Sequence, residues 1–208
     1  MAKNIVLYLD FQFPGLPPSW LIPRIRYYKK NFPNFDKYLP DIENIYGFTM
    51  IIALSLLTFF FTVFMGYVVH FLLHKPWMGV GYQKHMNHHL QQYPPGDFYS
   101  DTYRHAGKDS SFWLFLVAFT PIIILMFVIL HYFNVSLLIS LTLLIEMLLT
   151  GYAHDYLHDA FHIENHWLRK YKWFQELTIL HEHHHNNMEV NYGIFSFICD
   201  KCFGTFKK

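Results

Sequence analysis

Two apolar tracts constrain this chain more than any other feature. From Phe48 to Val69 no residue carries a charge, and from Phe112 to Tyr152 Glu146 alone does. The first tract covers the roughly 20 residues that a helix needs to cross hydrocarbon, and the second is about twice as long, with His131 and Asn134 near its middle as the natural turn. The pattern predicts one span followed by a hairpin of two. A soluble core helix is the competing reading, but a 208-residue chain with 53% hydrophobic, 20% aromatic and 15% charged residues has too little polar material to cover such runs. The expected fold is an all-α integral membrane helical bundle of about three to four spans, carrying a histidine-rich helical cap on the cytosolic side.

The ends of the chain divide accordingly. Residues 1–47 read as an N-terminal interfacial segment: Pro14, Pro17, Pro18 and Pro23 break any signal-peptide helix, and Trp20 with the following "RIRYYKK" suits lipid headgroups. Residues 48–208 form the second domain. A formal charge of +1 gives no long-range field for nucleic acid, which is excluded as a partner. Two cysteines, Cys199 and Cys202, give no disulfide framework, and a lone Cys-x-x-Cys is weak grounds for redox or zinc work.

Fifteen histidines are the compositional anomaly, and ten of them fall into four sets. "HFLLH" places His70 and His74 just beyond the first span. A four-residue step turns a helix by about 40°, so both rings share a face. "HMNHH" repeats this with His85, His88 and His89; "HDYLH" places His154 and His158 beyond the third span; "HEHHH" supplies His181, His184 and His185. Two crossings between His89 and His154 return the chain to the side it left, so all four sets meet on one membrane face. Ten imidazoles are enough for two metals. A pair of irons activates dioxygen, whereas zinc has no redox chemistry, so oxidation of an unreactive C–H bond is the expected reaction.

The last set also reads as His-Glu-x-x-His, which makes His181 and His185 zinc ligands and Glu182 the general base of a metalloprotease. That reading leaves three other sets without a purpose. A metal transporter is a second rival, but its sites belong near the membrane midplane at broken helices.

The series "HFLLH", "HMNHH", "HDYLH", "HEHHH", closed by "NYGIFSFICDKCFGTF", resembles the fatty acid hydroxylase and sterol desaturase superfamily of membrane di-iron oxygenases over about Phe48 to Phe206. The resemblance implies a helical membrane bundle with a cytosolic cap, two irons, dioxygen as co-substrate, and electrons from an NAD(P)H-dependent reductase through a separate carrier protein. The metal ligands it implies are His70, His74, His85, His88, His89, His154, His158, His181, His184 and His185. No further catalytic residue beyond the metal centre is expected. The substrate it implies is a lipid drawn from the bilayer: a fatty-acyl or sphingolipid chain first, a sterol second. "HDYLHDAFH" is also similar to the carotenoid hydroxylases. No haem motif or Gly-x-Gly-x-x-Gly is present, so the electron donor is expected to be another protein.

Other residues take the plainer reading. His183 lies about 200° around the helix from His181 and faces away from it. His162 and His166 are read as outer donors or surface residues, and His105 and His131 have no partner at ligand spacing. Asp155, Asp159, Asn187 and Asn191 are the expected acceptors for the ligands' second ring nitrogens. Glu146 is costly at its depth unless it faces the bundle interior, where a role near a substrate tunnel and pairing with a neighbouring polar group are the two readings. Ten Lys and Arg flank the histidine sets against six at the N-terminus, which favours a cytosolic histidine face, in the endoplasmic reticulum if the cell is eukaryotic or the inner membrane if bacterial.

Overall fold

The computed structural model describes residue 31 and residues 39–104, 111–132 and 135–208. The interfacial segment lies outside the described residues up to residue 38, apart from Asn31, and so does His105. All regular elements among the described residues are helices: α1 (Leu39–Leu73), α2 (Val80–Asn87), α3 (Ser111–Tyr132), α4 (Leu137–Phe161), α5 (Lys172–Asn186) and α6 (Ile198–Phe203). The nearest approach to a sheet is a single bridge between Ser100 and Ile163.

Among the described residues two helices are long and apolar enough to cross a membrane, Phe48–Leu73 within α1 and Leu137–Phe161. Three of their hydroxyls bond to the carbonyl four residues earlier: Thr62 donates to Thr58 O, Thr142 to Leu138 O and Ser140 to Ser136 O. Large apolar side chains point outward, Leu57 at 66% and Phe60 at 62% exposure, as a lipid-facing surface requires. A third span is expected from the sequence at the start of the second tract; there α3 runs over 22 residues, of which Thr120–Tyr132 form a shorter apolar helix. α3 ends at Tyr132, just past His131, and α4 begins at Leu137, with Val135 N donating to Leu130 O; Asn134, at the expected turn, lies outside the described residues.

The chain divides into two compact units, one of residues 1–56 and 123–144, the other of residues 57–122 and 145–208. The first packs Leu130, Val135 and Leu143 with Leu54, Met126 and Ile139. The second holds every described histidine set. Its apolar core joins Phe98, Leu157, Ala160, Phe161, Leu168, Phe174 and Ile194.

Within this second unit the helices run on past the apolar tracts, as the four-residue histidine spacing requires. His70, His154 and His158 lie inside their helices, because α1 continues to Leu73 and α4 to Phe161. Hydropathy falls where Asp155 and Asp159 enter, but the backbone ladder runs on past them. Arg169 then closes the end of α4, its guanidinium donating to the carbonyls of Phe161 and Ile163 at 2.9 Å each. After α2 the chain widens into a π-turn over His88–Gln92, with Tyr93 N donating to His88 O at 2.9 Å.

Candidate metal centre

Helix register sets the site. His70 lies three residues before the end of α1 and His74 one residue after it; His158 and His162 hold the same two positions at the end of α4. The two long apolar helices therefore present i, i+4 pairs in matched register from their C-terminal turns.

Ten histidines of the second unit gather into two groups of five. The first comprises His70, His74, His85, His89 and His184; the second comprises His88, His158, His162, His181 and His185; within each, the available ligand atoms all lie within 4.8 Å of one another. The two His-x-x-His-His sets are each split. His85 and His89 enter the first group and His88 the second, while His181 and His185 enter the second and His184 the first. The groups adjoin, with the His89 and His185 rings 4.0 Å apart and those of His70 and His158 6.1 Å apart.

Their chemistry is that of neutral, oriented imidazoles. Five donate Nδ1–H to a fixed acceptor: His70 to Tyr192 O at 2.7 Å, His184 to Val190 O at 2.6 Å, His185 to Tyr93 O at 3.0 Å, His162 to Phe98 O at 3.1 Å and His88 to Gln92 Oε1 at 3.3 Å. Each such bond selects one tautomer and leaves the Nε2 lone pair for the group. The Nε2 atoms of His70, His162 and His185 and both ring nitrogens of His181 are buried without a hydrogen-bond partner among the described residues. In the first group the Nε2 atoms of His74, His85, His89 and His184 follow one another at 2.9 to 3.1 Å. Nitrogens at right angles around one ion, with bonds of about 2.1 Å, are separated by roughly 3.0 Å. Burial, and then the neighbouring imidazoles, hold His85, His89, His181 and His185 well below the usual histidine range. His74 is pushed down to about 4 by burial and by Lys75. Buried, deprotonated and converging nitrogens with no partner are what a metal ion would satisfy, and the residues fit one ion in each group.

Nine of the ten residues in the sequence reading fall in these groups, and His154 does not. Its ring packs against α1 at Gly66, where a Cβ would meet His154 Nε2 at 2.8 Å. His162, read as an outer or surface residue, is fully buried in the second group instead. "HDYLHDAFH" offers histidines at i, i+4 and i+8, and the pair in register with the helix end is the later one. The sequence carries no mark of where α4 ends, so the later pair could not be told from the earlier one.

Glu182 stands outside both groups and accepts the Tyr99 hydroxyl at 2.7 Å, while His184, a variable position in the protease motif, is buried in the first group. His183 is likewise outside both groups, and His166 caps the turn at Trp167. The Nδ1 bonds described above go to four backbone carbonyls and to Gln92, not to the expected carboxylates and asparagines. Asp159 Oδ1 comes within 3.7 Å of His158 Nδ1, and Asn187 accepts from Glu189 N. Asn191 works through the backbone: held at φ +55°, its side chain donates to Leu180 O and Lys207 O and accepts from Lys207 N. Glu146 is half-buried in α4. Cys199 and Cys202 are both free.

A model of the fatty acid hydroxylase family matches residues 55–205, which span both histidine groups and the closing "NYG" and "FGT" elements. The chain belongs to the fatty acid hydroxylase family. No curated protein and no solved structure matches it significantly. Membership in this metal-dependent, membrane-associated family makes the chain an oxidoreductase of the lipid hydroxylase and desaturase kind, with its apolar helices and histidine clusters in keeping.

Proposed function

We propose that the chain is a membrane-bound di-iron oxygenase that hydroxylates, or desaturates, a lipid taken from the bilayer. The observation that carries this is the pair of adjoining five-histidine groups with lone pairs turned inward and Nδ1–H groups tied to acceptors. Iron bound to both groups would supply the redox capacity to activate dioxygen, which zinc lacks. The protein's own part is to keep the imidazoles deprotonated by burial, to fix their tautomers, and to exclude bulk water from the centre.

The substrate is a fatty-acyl or sphingolipid chain first, a sterol second and a carotenoid third. Electrons come from an NAD(P)H-dependent reductase through a separate carrier. Excess Lys and Arg around the histidine sets supports a cytosolic site, in the endoplasmic reticulum of a eukaryote or the inner membrane of a bacterium. Two measurements test the reading together. Metal analysis of protein expressed with iron should give about two irons per chain, and lipid profiles of cells with and without the gene should differ by a hydroxylated or desaturated species. A single tightly held zinc with zinc-restored activity, or no change in any lipid class, would overturn it.

A further inference from the structure

We propose that each histidine group has its own charge-centred clamp, with Asp200 the positioning residue of the first and Arg104 that of the second. The inference rests on the metal-binding reading above and goes beyond it by assigning residues that touch no ligand nitrogen.

The first clamp is built at the end of the chain. Asp200 is fully buried and accepts three bonds: from Tyr192 N at 2.7 Å, Gly193 N at 2.9 Å and the Thr205 hydroxyl at 2.8 Å. Those bonds fix the segment whose carbonyls at Val190 and Tyr192 receive His184 and His70, both of the first group. Gly193 lets the segment close, since a Cβ there would stand 2.3 Å from Ser196 O and 2.8 Å from Asp200 Oδ2.

The second clamp is built on the loop after the π-turn. Arg104 Nη1 donates to Gln92 O at 2.6 Å and to Asp97 Oδ2 at 2.7 Å; Nη2 donates to Asp97 Oδ1 at 2.8 Å and to Tyr99 O at 3.2 Å. Its backbone N donates to the Tyr93 hydroxyl at 2.6 Å. One planar fork thus ties down the loop from which Gln92, Tyr93 and Phe98 receive His88, His185 and His162, all of the second group. No acceptor is shared between the clamps.

The test reads metal content and the visible spectrum of cobalt-loaded protein in detergent, with His74→Ala and His162→Ala as backgrounds that disable one group each. The wild-type chain should take up about two ions; uptake of fewer than one overturns the metal reading itself, apart from the clamps. Asp200→Asn puts an amide N–H against an N–H or hydroxyl donor. It should halve cobalt content in the wild type, abolish binding in the His162→Ala background and change nothing in the His74→Ala background. Arg104→Lys keeps the charge but loses the fork, and should give the opposite pattern. Gly193→Ala and the exposed Asp97→Asn are second variants for each clamp, should the first unfold. A merely structural role would lower both spectral contributions together; equal loss in both backgrounds, or full retention in both, refutes the assignment.

Discussion

The first histidine group takes its backbone acceptors from the segment just before α6, and the second takes its own from the loop after the π-turn, yet the two groups meet at matched helix ends. His74 and His162 occupy the same position relative to α1 and α4, one residue past the last turn. The contrast separates two origins: the placement of the imidazoles comes from helix register, common to both groups, while their orientation comes from local loops that share no acceptor.

If the groups are equivalent, His74→Ala and His162→Ala should each reduce lipid oxidation more than about 100-fold and each remove one metal, whereas His154→Ala should keep both. This is the largest contrast expected. Product analysis with metal counting decides it, and His154 would regain a ligand's role if its removal cost metal. Next comes the split of the last set. His184→Ala should lose metal from the first group along with activity, and Glu182→Gln should keep most turnover, because a glutamine oxygen still accepts from Tyr99. The reverse result would restore the His-Glu-x-x-His protease.

A third outcome concerns pH, in metal-free protein. Burial lowers the folded-state affinity for protons at His85, His89, His181 and His185, so below the unfolded value near 6.5 only the unfolded chain is protonated. Stability is full above that pH and falls as pH drops toward the folded values, about 4 for His74. The slope is roughly 1.4 kcal/mol per pH unit for each buried histidine. Melting temperature followed from pH 7.5 to 5 should decline steeply, and a flat profile would contradict the burial of the imidazoles. The smallest effect is Gly66→Ala, which pushes a methyl group into the His154 ring and should cost about 1 to 3 kcal/mol. Adding His154→Ala should recover part of that loss in a thermal melt if the contact is the cause.

The helical class, the break between the two later apolar helices and nine of the ten grouped histidines were legible from the sequence pattern, because imidazoles at i, i+3 and i+4 must share a face. His162 was not legible, since a run of three histidines at four-residue steps does not say which pair is used until the helix terminus is known. The Nδ1 acceptors were also hidden. Asp155, Asp159, Asn187 and Asn191 advertise acceptors through their side chains, but Val190, Tyr192, Tyr93 and Phe98 act through carbonyls that any residue carries. Asp200 was visible only as part of a terminal motif, because its partners are mostly backbone amides.

His88 and His89 enter opposite groups across one peptide bond, and so do His184 and His185. Successive Cα atoms stand about 3.8 Å apart whatever the side chains do. The distance between the two groups is therefore gauged by two covalent rulers on different helical segments, so breathing of either spanning helix changes the surroundings of the centres before it changes their separation. A one-residue insertion between either pair would act on that ruler directly, leaving every imidazole in the chain but moving one neighbour out of step with the other.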